Sequence, residues 1–333
     1  MLKTVNKIII SRTDAIGDVI LTLPLAGILK KYKANVELIF LGRDYTEQII
    51  KNSKFVDQFI SWDKIKDLNS KEQVKIFKEL NADIILHIFP NKQIAKLAKS
   101  AKIKYRIGTS HRPYHWYTCN KMLNLGRRKS KLHEAQLNIK LLNGLGIKKD
   151  FSLSEIPDYY GFTKNKTLNK ELSKLLDKTK FNLILHPKSH GSAREWGIDN
   201  FKELVDLLPE DKYKIFITGT EKEKKEIGDL LYHQKITDLT GKLNLQEFID
   251  FISNADGLVA ASTGPLHIAA AFGKKAIGIY PPIEPMHPQR WAPIGENADF
   301  LVVNKKCNDC RKGAFCHCMQ EITAQELIRK LEN

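Results

Sequence analysis

The chain of 333 residues is short of cysteine and tryptophan and has no long apolar run. Four of its five cysteines crowd between Cys307 and Cys318, and Cys119 stands alone. Small secreted scaffolds stapled by disulfides are short and cysteine-dense throughout, so that class is excluded. No apolar stretch approaches the ~20 residues of a membrane-spanning helix. Ile8 to Ile10 is too short for the core of a secretion signal, and polar residues follow at once. The expected location is the cytoplasm.

One further absence is local. From Ile84 to His133 there is no Asp or Glu, while the same stretch carries twelve Lys and Arg; the whole chain has a net charge of +16. Such a field attracts nucleic acid, anionic lipid or a phosphorylated substrate. A lysine-rich composition that merely keeps the protein soluble gives the same totals. Tyr105, Tyr114, Trp116 and Tyr117 interleave with the charge, which suits a single-strand nucleic-acid surface, but no nucleic-acid-binding motif accompanies them.

What is present is alternation of two periods. Ile8, Ile9 and Ile10 read as a strand buried on both faces. Ser11 to Asp14 break the run, and from about Ala15 the apolar positions Ile16, Val19, Ile20 and Leu23 fall near helical spacing. Strand patterns recur at 36–41, 55–62, 83–89 and 105–108, with helices at 44–51, 71–80, 94–99 and 133–145 between or after them. The stretch 109–128 has no clear period and reads as an irregular loop reaching over the site. Residues 150–166 are the candidate linker. A second series follows: strands at 182–186, 214–218, 236–239, 257–261 and 276–280, helices at 198–208, 221–232, 245–253 and 265–272, and a last helix at 324–331. Strand and helix in alternation predict an α/β fold with mostly parallel, doubly wound sheets.

In such sheets ligands bind beyond the carboxyl ends of the strands. Gly17 and Asp18 sit at the first such end. Asp18 reads either as a carboxylate favoured by the positive end of a helix or as a proton acceptor in the mouth of a site. In the second half, Ser262 or Thr263 can cap a helix that Pro265 opens, and Gly264 lets backbone approach closely. The N–H groups there favour a diphosphate. His267, one turn in, is either a donor to phosphate or a core histidine bonded to backbone. Ser189 and Arg194 follow the strand at 182–186, where a hydroxyl and a guanidinium could meet a phosphate; for Arg194 a surface ion pair is the alternative. Cys307, Cys310, Cys316 and Cys318, with His317 among them, could bind a structural zinc or stand as reduced thiols in a clasp before the last helix. Cys119 is expected to be only a loop thiol.

Three stretches carry a resemblance. RTDAIGDVILTLP at 12–24, AASTGPLHIAAAFG at 260–273 and PQRWAPIG at 288–295 resemble, in order, the signatures of the family 9 glycosyltransferases, the lipopolysaccharide heptosyltransferases. The resemblance implies the GT-B architecture: two Rossmann-like domains facing across a cleft. Residues 1–165 would bind the acceptor, with the linker from about 150, and 166–333 the nucleotide-sugar donor. It implies inverting transfer of heptose from ADP-heptose to the lipid A–core oligosaccharide at the cytoplasmic face of the inner membrane, with no catalytic metal, no required cofactor and no nucleic-acid partner.

By the same resemblance Asp18 is the base. Ser189, Arg194, Gly219, Thr220, Glu223, Ser262, Thr263, Gly264 and His267 face the donor, Glu223 near ribose or base unless it is merely a solvated helix residue. Arg12 and Thr13 orient the acceptor or a phosphate, and the basic Arg127, Arg128 and Lys129 receive the phosphorylated acceptor. Two positions depart from the family pattern: Ser262 stands where Asp is usual, and Lys188 where glycine is common. The first leaves open a related transferase with another nucleotide sugar. An epimerase on the same layout and a basic polyanion-binding protein are the other readings.

Overall fold

The structure, a computed structural model, describes residues 2–127, 130–163, 168–305, 307 and 316–333. It divides into two compact units, Met1–Thr163 and Lys164–Asn333.

In the first unit the strands are β1 (Lys7–Ser11), β2 (Glu37–Gly42), β3 (Gln58–Ser61), β4 (Ile84–His87), β5 (Tyr105–Thr109) and β6 (Lys121–Leu123). The helices are α1 (Ile16–Ile20), α2 (Pro24–Tyr32), α3 (Glu47–Lys51), α4 (Ser70–Glu79), α5 (Lys92–Ser100), α6 (His115–Thr118) and α7 (Glu134–Ile139). The sheet is parallel, in the order β3-β2-β1-β4-β5-β6. β1 is central, which is why Ile8, Ile9 and Ile10 are all buried.

The second unit repeats the plan. Its strands are β7 (Phe181–His186), β8 (Tyr213–Ile217), β9 (Ile236–Asp238), β10 (Gly257–Ala261), β11 (Lys275–Tyr280) and β12 (Ala298–Val302). Its helices are α8 (Lys170–Leu175), α9 (Ile198–Leu207), α10 (Lys224–Ile227), α11 (Leu245–Asn254), α12 (Gly264–Ala271), α13 (Pro288–Trp291), α14 (His317–Gln320) and α15 (Ala324–Glu332). The sheet order is β12-β11-β10-β7-β8-β9, again parallel. Counted from the first strand of each unit, the two orders are the same. Each sheet reverses direction of growth beside its first strand, between β1 and β4 and between β7 and β10. That reversal opens a crevice at the carboxyl ends of those strands.

The structure departs from the expected elements in several places. The opening helix is two helices, because Pro24 has no N–H to continue α1 and instead starts α2. Gly27 in α2 has a packing reason: a Cβ there would lie 2.4 Å from the Tyr159 carbonyl oxygen. The stretch expected as an irregular loop contains α6 and the edge strand β6, too short to show a period. The helix expected at 133–145 is α7 followed by a tighter 3-10 segment, Lys140–Leu145, ending on left-handed Gly146. The helix expected at 221–232 is only α10 and a 3-10 turn, Gly228–Tyr232. α8 and β12 have no counterpart in the sequence reading; β12 is an edge strand with no fully buried residue.

The core of the second unit gathers Leu183, Leu185, Ile215, Ile217 and Val259 under Phe201 and Leu327. Trp196 is buried against Phe201 and donates its indole N–H to the Ile322 carbonyl at 2.8 Å. Cys316 and Cys318 are buried in this same core, with Cys307 packed against it. Cys310 lies outside the described residues. Among the described residues no group of three or more His, Cys, Asp or Glu is placed to hold a metal ion.

Candidate active site

The first crevice is built on the loop after β1. Arg12 follows the strand and is 1% exposed, so its charge must be met inside the protein. Its Nε donates to Asp14 at 2.7 Å, one terminal nitrogen to Asp18, and the other to Glu134 at 3.2 Å and Asn138 at 3.1 Å. Glu134, in the first turn of α7 and 1% exposed, also takes a short bond from Arg127. Arg127 further donates to Asn138 at 3.0 Å and to the Ile88 carbonyl at 3.1 Å. Asn138 turns its amide back to Leu21 and Thr22, and Thr22 bonds the Asp18 carbonyl at 2.9 Å. Two guanidinium groups are thus divided among three carboxylates, one amide and the Ile88 carbonyl.

Asp18 is the outermost carboxylate bonded to Arg12 apart from Asp14, with its side chain 20% exposed. Burial raises its pKa above the ordinary carboxylate value; Arg12 pulls it down, Asp14 pushes it up and Arg127 pulls it down. A carboxylate made more basic, held at one oxygen and still reached by solvent is fitted to accept a proton. Arg12, expected to touch acceptor or phosphate, has its donors directed into this network. Thr13 is buried beside it. Arg127 is placed on Glu134 and Asn138, and Arg128 and Lys129 lie outside the described residues.

Glu134 and Asn138 escaped sequence reasoning. Their spacing of four residues on α7 puts them on one helix face, a signal that reads as ordinary amphipathicity until the partner arginines are known. Ser11 and His87 escaped it too. They face each other in register at the carboxyl ends of β1 and β4, both buried. Neither the Ser11 hydroxyl nor either His87 ring nitrogen has a hydrogen-bond partner among the described residues. His87 packs on His115, ring centres 5.4 Å apart. Burial drives the His87 pKa down to about 3, with His115 and Arg106 adding to the effect, so the ring is neutral.

The second crevice gathers the loops after β7, β8 and β10. Thr263 is the N-cap of α12, yet its side chain makes no cap bond. Its hydroxyl is buried with no hydrogen-bond partner among the described residues. Leaving a hydroxyl so costs about 1–3 kcal/mol unless a bound group accepts from it. Gly264 opens the helix, Pro265 follows, and His267 is buried one turn in. The N–H groups at the start of α12, the Thr263 hydroxyl and the helix dipole are chemically suited to an anion.

After β8, Glu223 accepts from the Thr220 N–H at 2.7 Å and its hydroxyl at 2.8 Å, above Gly219. Burial alone would raise the Glu223 pKa, but the two Thr220 bonds and the nearby His186 and His190 hold it below the ordinary value. It is a fixed carboxylate, 4% exposed, and not a solvated helix residue.

After β7 the phosphate-loop candidate is tied to itself. The Ser189 N–H and hydroxyl both reach Glu195 at 2.9 Å, and the hydroxyl also lies 3.0 Å from the Ala193 carbonyl. Lys188 bridges Glu195 and Glu226, the latter at 2.7 Å. Arg194 is half-buried in the same loop. Sequence reasoning missed Glu195, whose role appears only when the loop closes.

Comparison with known proteins joins these crevices to a family. The profile of glycosyltransferase family 9 (heptosyltransferase) matches residues 74–317. The lipopolysaccharide core heptosyltransferase OpsX of Haemophilus influenzae is 25% identical over 307 residues, 88% of this chain and 83% of that protein. The fold matches a glycosyltransferase family 9 structure from Veillonella parvula with TM-score 0.79 at 19% identity, covering 98% of this chain and 96% of that one. It matches E. coli ADP-heptose lipopolysaccharide heptosyltransferase II with TM-score 0.75 at 16% identity, covering 98% and 97%. With two Rossmann-like halves of the GT-B class and a family profile spanning most of its length, the chain belongs to glycosyltransferase family 9, the heptosyltransferases, and is a glycosyltransferase.

Proposed function

We propose that the chain transfers a heptose from ADP-heptose to the inner core of lipopolysaccharide, with inversion and without a catalytic metal. The observation that carries the reading is the Arg12-held Asp18, a carboxylate of raised pKa at the carboxyl end of β1. In the proposed step an acceptor hydroxyl attacks the anomeric carbon. The new carbon–oxygen bond forms as the bond to the diphosphate breaks, and the hydroxyl proton passes to Asp18. The nucleoside diphosphate leaves with the bonding pair. Its charge is met by the Thr263 hydroxyl, the N–H groups opening α12, His267 and Arg194. Arg12 is a positioning residue: it fixes one Asp18 oxygen and leaves the other to take the proton.

The donor unit is the second and the acceptor unit the first, divided near 164. Gly219, Thr220 and Glu223 then contact the nucleoside, and Ser189 supports the diphosphate through its loop. The acceptor is a lipid A–core oligosaccharide at the cytoplasmic face of the inner membrane, its phosphates drawn by the basic stretch that includes Arg128 and Lys129, since Arg127 is paired with Glu134. Cys307, Cys310, Cys316 and Cys318 form a structural clasp; elemental analysis for zinc decides whether they hold it through metal or as thiols.

A second donor reading is favoured by Ser262, which stands where the family usually carries a carboxylate. Calorimetry with ADP-heptose, ADP-glucose and UDP- and GDP-sugars tests both. Selective binding of ADP-heptose is expected. Preference for another sugar nucleotide moves the assignment to that donor, and binding of none defeats the transferase reading of this site.

A further inference from the structure

Outside both crevices, α5 and α6 carry a surface that the transfer step does not use. α5 is amphipathic: Ile94, Ala95, Leu97 and Ala98 are buried, while Lys92, Lys96 and Lys99 lie exposed in a row at helical spacing. α6 packs beside it. His115 and Thr118 anchor α6 from within, at 0% and 1% exposed, so the two residues between them must face out. Those residues are Trp116 and Tyr117, 65% and 51% exposed. The Trp116 indole N–H is already satisfied by the Ser110 carbonyl at 2.8 Å, which leaves an apolar ring in water. Arg112 is exposed just before the helix.

No carboxylate pairs with Lys92, Lys96, Lys99 or Arg112 among the described residues, and the sequence supplies none between Ile84 and His133. Paired cations would be neutralised; these present net positive charge beside two aromatic rings. Lysines flanking exposed Trp and Tyr on helices make up the side-chain set of interfacial membrane segments: the rings enter the headgroup region and the cations meet anionic lipid. Base-stacking surfaces instead set their aromatics along an open sheet or groove. No helix in the described residues is long and apolar enough to cross a membrane, so contact of this kind would be peripheral.

We propose that the α5–α6 face docks the protein directly on an anionic bilayer, independently of any acceptor. The surface deepens the function proposed above, since a lipid-borne acceptor would be met at the same membrane. Its test reads binding alone.

The full chain is sedimented with vesicles of phosphatidylcholine alone and of equal parts phosphatidylcholine and phosphatidylglycerol, with no acceptor present. Binding is expected to the anionic vesicles only, with a blue shift of tryptophan emission that Trp116→Phe abolishes. The triple change Lys92→Ala, Lys96→Ala, Lys99→Ala should weaken partition on the order of a hundredfold. The pair Trp116→Ala, Tyr117→Ala should weaken it by roughly tenfold or more. All these side chains are exposed, so melting temperatures should match wild type. Asp18→Asn should bind vesicles as wild type does, which separates this surface from the catalytic reading. Absence of binding to anionic vesicles overturns the proposal, as does binding that both variant sets leave intact. Tighter binding of oligo-dT than of vesicles, lost in the same variants, overturns it in favour of nucleic acid.

Discussion

The two units share one sheet topology, but Asp18 in the first and Thr263 in the second sit in opposite surroundings. In the first, the groups beyond β1 are spent on each other: Arg12 and Arg127 are divided among Asp14, Asp18, Glu134 and Asn138. In the second, the group that opens α12, the Thr263 hydroxyl, makes no bond with the described residues. The contrast matches two chemical tasks. A base must have its basicity and direction set before substrate arrives, which takes fixed neighbours. An anion receptor must keep donors available, and its unmet hydrogen bonds are a cost that ligand binding removes.

The largest expected effect lies in the pre-set network. Asp18→Asn keeps the shape and removes the proton acceptor. Transfer should fall by about 10²–10⁴-fold, while calorimetric affinity for the donor stays at the wild-type value. A variant that loses donor binding as well would place Asp18 in the wrong half of the comparison.

Next comes the network's own stability. Arg12→Leu leaves Asp14, Asp18 and Glu134 without their shared cation, a change expected to cost about 3–5 kcal/mol. Chemical denaturation should register the loss, and the surviving fold should show the pH profile of transfer displaced upward, because Arg12 is the largest influence lowering the Asp18 pKa. Glu134→Gln should also destabilise the protein, from the other side, by leaving two arginines short of a carboxylate.

Acid separates the units by a third route. His87 has a pKa of about 3 in the fold against an ordinary 6.5. The unfolded chain therefore takes up this proton first. The stability tied to neutral His87 is complete above pH 6.5 and is lost as pH falls from there toward about 3. His115 moves the same way, through burial. In the second unit His186 is lowered less, to about 4, by burial that Glu223 and Glu195 oppose, and its ring bonds Thr218 at 3.0 Å. Hydrogen exchange followed downward in pH should find β4 and α6 opening before β7 and β8. His87→Leu should flatten the acid limb in the first unit; an unchanged limb would mean other groups control it.

The smallest effect is the most local. Thr263→Val should weaken donor binding by roughly tenfold, the worth of about one hydrogen bond to a charged acceptor. Stability should hold or rise, because the hydroxyl removed has no partner among the described residues. A stability loss without an affinity loss would reverse the comparison.

Most of the architecture was legible because central parallel strands are buried on both faces and announce themselves as apolar runs, as at Ile8–Ile10 and Leu183–Leu185. The edge strands β6, with three residues, and β12, with no fully buried position, were not, although the edge strands β3 and β9 fell within the expected 55–62 and 236–239. Asp18 and the Ser262–His267 turn stood out because a strand end, a polar break and a new helix are adjacent in sequence. Glu134 and Asn138 stayed hidden because their meaning depends on Arg12, more than 120 residues away. Glu195 was hidden at short range, since Ser189 reads as a phosphate donor until the loop's own carboxylate is seen to hold it.

The central claim is that a carboxylate made more basic by burial and held in place by Arg12 drives transfer. The pH dependence of single-turnover sugar transfer, measured side by side for wild type and Asp18→Asn, tests it most directly. Wild type should gain rate with pH through a single ionisation above the ordinary aspartate value of 3.8 and then level off. The Asn variant should be slower by at least about a hundredfold and lack that ionisation. An Asn variant with wild-type rate, or one that keeps the same ionisation, would contradict the account.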